Sequence, residues 1–199
     1  ANRCNFVFPI SNPIDKSIWA GSYGGGLVHF KDNNIQIYKG SNSTLQPAIG
    51  DINSYRISGL AFDANNNLWI SNYAAPQNLQ VRKQDGSFKA FTIPFTHFEN
   101  AISQLVVDDA NQIWIVSPRG NGIFCYNYGN SIDALNDDQW KYIRSGIGLG
   151  NLPSNNVYCL AKDKNGLLWI GTDKGIAVIQ CVNEIFTQSC DAIKPIVQQ

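Results

Sequence analysis

The sequence predicts an all-β chain, and three observations carry that expectation. Segments centred on Trp19, Trp69, Trp114 and Trp169 recur about every fifty residues. Each sits among short apolar runs separated by Asp, Asn and Gly, with 17 Gly and 8 Pro in the whole chain. Of 15 acidic residues only Glu99 and Glu184 are glutamate, and short Asp and Asn side chains suit turns better than helix interiors. A four-stranded unit repeated four times specifies a β-propeller segment of four antiparallel blades within one domain, residues 1–199. The blades fall near 5–40, 56–93, 101–144 and 156–189.

The first blade is the least regular, with strands at 5–10, 17–21, 26–30 and 35–38, and its Asp15 lies only four positions before Trp19. In the others an aspartate stands six positions before the tryptophan: Asp63, Asp108 and Asp163. These read as turn caps. Strands are expected at 56–62, 68–71, 79–83 and 88–93 in the second blade, and at 101–107, 113–116, 122–126 and 140–144 in the third. The last blade is the cleanest copy. Residues 157–161 form an inner strand apolar on both faces, 167–170 and 176–180 follow, and an outer strand is placed at 184–188. Tryptophans set mid-strand between aliphatic neighbours read as packing between blades; Trp140, outside the series, is the candidate for exposure. Such a segment is a partial arc of a larger propeller, or an arc closed by dimerisation, because its two end faces expose apolar sheet.

Composition narrows the partners. Lys+Arg and Asp+Glu are both 15, so formal net charge is zero and no nucleic acid or anionic lipid partner is expected. No run of about eighteen apolar residues occurs, so no helical membrane insertion is expected. With no methionine anywhere, the sequence reads as a piece of a longer precursor. Five cysteines lack metal-site spacing. Cys125 and Cys159 read as buried thiols within strands, Cys4 is unassigned, and the spacing of Cys181 and Cys190 leaves a disulfide open.

The stretch VYCLAKDKNGLLWIGTDKGIAVI, from Val157 to Ile179, resembles the two-component-regulator propeller repeat: an apolar strand, Asp, a Gly or Asn turn, LWIGT, then a GI strand. The second and third copies depart from it, with Ser71 and Asn72, and Val116 and Ser117, where the pattern has GT. SIWAGSYGGGL and the stretch from Asn136 to Val178 are similar to the propeller-bearing protein of the Por (type IX) secretion system of Bacteroidetes. That resemblance implies an exported protein of the periplasm or outer cell surface, acting as a non-catalytic binding or scaffold module associated with type IX secretion. An alternative it implies is a periplasmic sensor propeller of a hybrid two-component system that binds carbohydrate.

No catalytic constellation emerges. His29 lies in a strand and reads as structural; His97 and Glu99 share a loop, and a streptogramin-lyase-like or glycan-cleaving enzyme is the alternative that pair supports. Asp63, Asn65 and Asn67 alternate like the start of a calcium loop but lack its Gly and closing Glu, so no metal or cofactor is expected. Gly24, Gly25 and Gly26 precede a strand, not a helix, and read as a turn. Ligand-binding candidates come from loops four or five residues past the tryptophans: Tyr23, Tyr73, Arg119, Asp173 and Lys174. They would hold a protein or glycan ligand through aromatic faces and hydrogen bonds. A homodimer closing a ring is the further expected partner.

Overall fold

The computed structural model describes residues 6–195, so the expectations at Cys4 and position 5 lie outside them. The described residues are all-β, with two 3-10 turns at Phe98–Asn100 and Leu135–Asp137 as the helical content. Contacts divide the chain into two compact units after Leu105.

In the first unit β1 (Phe6–Ser11), β2 (Ile18–Gly24), β3 (Gly26–Lys31) and β4 (Asn34–Tyr38) form an antiparallel meander. A second meander follows: β5 (Tyr55–Phe62), β6 (Leu68–Asn72), β7 (Leu79–Arg82) and β8 (Phe88–Phe91). The two are stitched by one short ladder, Tyr23 opposite Arg56 and Gly24 opposite Tyr55. Their facing sides form one core, with Trp19, Leu27 and Tyr38 of the first sheet against Ile57, Leu60, Leu68 and Ile70 of the second.

Next come β9 (Leu105–Val107), β10 (Ile113–Val116), β11 (Ile123–Asn127) and β12 (Gln139–Ile143), ordered β12-β11-β10-β9. The last sheet has three strands, β13 (Val157–Lys162), β14 (Leu168–Thr172) and β15 (Gly175–Ile179). Its Leu160, Leu168, Ile170, Ala177 and Ile179 pack with Trp114, Cys125 and Ile143 in the core of the second unit.

One turn explains the recurring aspartates. Asp108 Oδ1 accepts the backbone N–H of Ala110 and of Gln112, both at 2.9 Å, while Oδ2 accepts the indole N–H of Trp114 at 2.7 Å. Asp63 does the same with Asn65, Asn67 and Trp69, and Asp163 with Asn165, Leu167 and Trp169. The cap reading was therefore half of the account: the carboxylate also fixes the tryptophan two strand positions beyond the turn. Each turn needs a left-handed residue three places after the aspartate, with φ of 61° at Asn66, 59° at Asn111 and 79° at Gly166, which is why Asn or Gly stands there. Asp63 in this role has both oxygens occupied by donors, so the alternating Asn residues serve the turn.

The first sheet uses a longer version. Asn12 caps it, accepting the N–H of Ile14 at 2.8 Å and of Asp15 at 3.2 Å, with one residue more before the chain returns at Ser17. Asp15 instead takes the Ser17 hydroxyl and the Lys31 ammonium, which together hold its carboxyl well below the usual range. The Trp19 indole nitrogen is left buried without a hydrogen-bond partner. It is stacked on His29, 4.0 Å between centroids, with the Arg82 guanidinium 5.0 Å above its ring.

Three expectations need correction in the last sheet. Residues 184–188 form a turn and not an outer strand: Thr187 and Gln188 both return N–H bonds to the Glu184 carbonyl, and the Cys181–Cys190 disulfide forces the chain to double back. Ile193 pairs with Val178 instead, through two 2.8 Å bonds. Strand β13 is buried on one face only, so Cys159 is exposed and not a core thiol, whereas Cys125 is buried. Trp169, for the same reason, is 38% exposed, while Trp69 and Trp114 are fully buried. Trp140 is half-buried and stacked on Tyr126 at 4.2 Å.

Candidate functional site

Two of the five candidate residues come together on the first unit. Tyr23 ends β2 and Tyr73 follows β6; their rings lie 5.7 Å apart at 53°. Arg56, brought opposite Tyr23 by the short β2–β5 ladder, sets its guanidinium 5.3 Å from the Tyr23 ring centre. Its Nη2 also meets the Asp51 carboxylate at 3.0 Å, and its carbonyl accepts the Tyr73 N–H at 2.8 Å. The Ser54 hydroxyl, followed by Arg56, holds the Asp51 carboxyl below its ordinary value. The result is an aromatic pair edged by one ion pair, with Tyr23 46% exposed. An arginine laid on a tyrosine at an exposed site contributes about 0.5–1 kcal/mol, enough to favour one ring orientation.

A buried amide network holds this surface still. The Asn72 side chain is fully buried; it accepts the Gln46 N–H at 2.8 Å and donates to the Gln46 carbonyl at 3.0 Å. Gln46 and Gln77 exchange two 2.9 Å bonds, and Gln80 joins through Thr44 and the Gln77 carbonyl. Satisfied networks of this kind specify a single loop arrangement. Sequence reasoning missed Arg56, Asp51 and this network. The departure at Asn72 from the GT of the repeat was the visible signal, whereas Arg56 is recruited by strand pairing that no local pattern announces.

A cleft of about 300 Å³ adjoins, lined by Pro76, Asn78, Thr92, Pro94, Phe95 and His97. His97 Nδ1 lies 2.7 Å from the Phe95 carbonyl, which can only accept, so Nδ1 carries the proton. Nε2 therefore accepts from the Asn78 amide at 2.6 Å. Its lone pair is engaged, which leaves His97 in this state without the free acceptor a general base requires.

The other three candidates lie on the second unit, Arg119 on one turn and the adjacent Asp173 and Lys174 on another. Arg119 is exposed in a left-handed conformation with φ 61°. Asp173 accepts the Asn156 side-chain amide at 3.0 Å, and the Ser154 hydroxyl, then Asn156, hold its carboxyl below the ordinary value. Lys174 is exposed beside it. Among the described residues no three His, Cys, Asp or Glu side chains gather as a metal-binding group, and no helix is long and apolar enough to cross a membrane.

Residues 151–174 match the model of the two component regulator propeller family. Among solved structures the chain is similar to PorZ, a bacterial surface component of the type-IX secretion system of Porphyromonas gingivalis, with a TM-score of 0.75 and 20% identity. That match covers 96% of this chain and 27% of PorZ. The fold is that of a β-propeller. The extracellular domain of a hybrid two component system from B. thetaiotaomicron matches with a TM-score of 0.67 and 19% identity, covering 96% of this chain and 23% of that one. A virginiamycin B lyase from Staphylococcus aureus, solved with quinupristin, gives a TM-score of 0.69 at 13% identity, over 100% of this chain and 58% of the lyase. The chain thus spans about a quarter of the length of the first two propeller proteins. No curated protein matches the sequence.

Proposed function

We propose that this chain is a non-catalytic binding or scaffold propeller of an exported bacterial surface protein, associated with type IX secretion, whose loop face holds a protein or glycan ligand. The observation that carries the reading is the pairing of the exposed Tyr23 with the half-buried Tyr73, edged by Arg56 and Asp51 and next to the Asn72 amide network. Tyrosine faces take up the apolar side of a sugar or a peptide side chain, and the fixed guanidinium and carboxylate supply direction. The likeness to PorZ, a surface component, and to an extracellular sensor domain supports export to the periplasm or outer surface.

Calorimetric titration with glycans, peptidoglycan fragments and peptides tests this reading. Binding that is lost in Tyr73→Ala, with the thermal midpoint retained, supports the loop face. Binding unchanged in Tyr23→Ala and Tyr73→Ala removes it. The sensor reading shares this face and predicts a carbohydrate ligand. The lyase reading would require the His97 cleft to turn over a substrate, and the engaged Nε2 of His97 weighs against it.

A further inference from the structure

We infer that the cleft walled by residues 76–100 is a second ligand site, built to take one uncharged sugar ring. It shares no residue with the Tyr23–Tyr73 pair, so the two readings fail separately.

Asn78 lines the cleft and is only 1% exposed. One end of its amide lies 3.0 Å from the Asn100 carbonyl and 2.6 Å from His97 Nε2. A carbonyl only accepts, so that end is Nδ2, and both of its protons are used. Oδ1 is left as an acceptor with no partner among the described residues. A buried amide oxygen without a donor is costly, and a ligand hydroxyl placed against it removes that cost.

Three more polar side chains on the walls are unclaimed. Thr92 and Thr96 are exposed, Asn100 is half-buried, and none of the three makes a side-chain hydrogen bond among the described residues. Much of the remaining wall is apolar, from Pro76, Pro94 and the half-buried Phe95. No Lys, Arg, Asp or Glu lines the cleft, and His97, with Nδ1 protonated and Nε2 accepting, is neutral in this state. A charged ligand would give up its water there without gaining a counterion. A pyranose carries an apolar C–H face and a rim of hydroxyls, which suits an aromatic ring and two prolines set among groups that give and take hydrogen bonds. About 300 Å³ is the lower end of small-molecule sites, room for one such ring and not for a run of peptide.

The walls are fixed before a ligand arrives. The Asn100 carbonyl takes the Ala74 N–H at 3.1 Å as well as the Asn78 amide, and Ala74, Glu99 and Asn100 are all held left-handed, with φ of 59°, 51° and 49°. Non-glycine residues keep that conformation only where their surroundings impose it, and such strain gathers at ligand sites.

Nitrogen-resolved NMR of the chain with glucose, galactose and N-acetylglucosamine at millimolar concentration tests the inference, with glucuronate and glucosamine as charged counterparts. At least one neutral sugar is expected to shift the Asn78 side-chain amide and the backbone signals of Thr92 and Thr96, and the charged sugars to shift them far less. The double variant Thr92→Val, Thr96→Val changes two exposed side chains and keeps the fold; it should weaken that sugar roughly tenfold, the combined value of two hydrogen bonds. Shifts confined to Tyr23 and Tyr73 would overturn the inference and leave the proposed function standing. No shift from any neutral sugar, equal shifts from the charged ones, or a double variant that binds as tightly as the intact chain would overturn it as well.

Discussion

Replacing Asp108 by alanine removes one carboxylate that serves three donors. The Trp114 indole N–H and the Gln112 backbone N–H both lie in the interior, where water cannot take over, and the Ala110 N–H lies on the exposed side of the turn. A buried donor left without an acceptor costs about 1–3 kcal/mol. Burial also raises the Asp108 carboxyl above its ordinary value, the hydrogen bonds only partly opposing it, so deleting the charge returns part of that cost. About 3 kcal/mol remains for Asp108→Ala, which in a chain of this size lowers the thermal midpoint by roughly 6–12 °C. Asp163 makes the same three bonds around an indole that is 38% exposed. Water replaces the carboxylate there, so Asp163→Ala is expected to move the midpoint by a small fraction of the Asp108 shift. Circular dichroism melts of the two variants are the assay. Equal shifts would refute the argument that burial, not bond count, sets the cost.

Further outcomes follow from the same contacts. Burial, helped by Arg82, lowers the pKa of His29 from 6.5, so the native state resists its protonation. The stability it permits is whole above about pH 6.5 and is lost as pH falls through the lowered native value. His29→Phe, which keeps the stack on Trp19, should then lose less midpoint than the intact chain when melts are run at mildly acid pH; identical losses would contradict this. Opening the Cys181–Cys190 bridge, nine residues apart, with Cys190→Ser should cost about 2–3 kcal/mol from loop entropy, read by urea titration. A side chain on Gly59 would overlap the Ser103 carbonyl, so Gly59→Ala should cost about 1–3 kcal/mol in the same assay.

Much of the fold could be read from spacing because the Asp–turn–Trp unit is local: the aspartate reaches a tryptophan six residues on, and every part of that contact lies in one short segment. The strand order within each meander follows for the same reason. What lay outside the sequence's reach was set by neighbours. Trp169 and Cys159 carry the same local pattern as their buried counterparts and differ only in having one face of their sheet uncovered. The expected strand at 184–188 gave way to a turn because Cys190 is tied to Cys181, a covalent constraint that strand propensity does not express. At the candidate site the two tyrosines were visible as loop aromatics at matching offsets, whereas Arg56 joins them through pairing between separate sheets. Asn72 announced itself only as a departure from the repeat.

Solvent exchange of the indole Nε1 protons, followed by nitrogen-resolved NMR, tests most directly the claim that one repeated unit is placed in unequal surroundings. Trp69 and Trp114, buried and held by Asp63 and Asp108, should exchange slowly, and Trp169, held by Asp163 but open to water, should exchange fast. Comparable rates for Trp114 and Trp169 in the monomer would contradict the account.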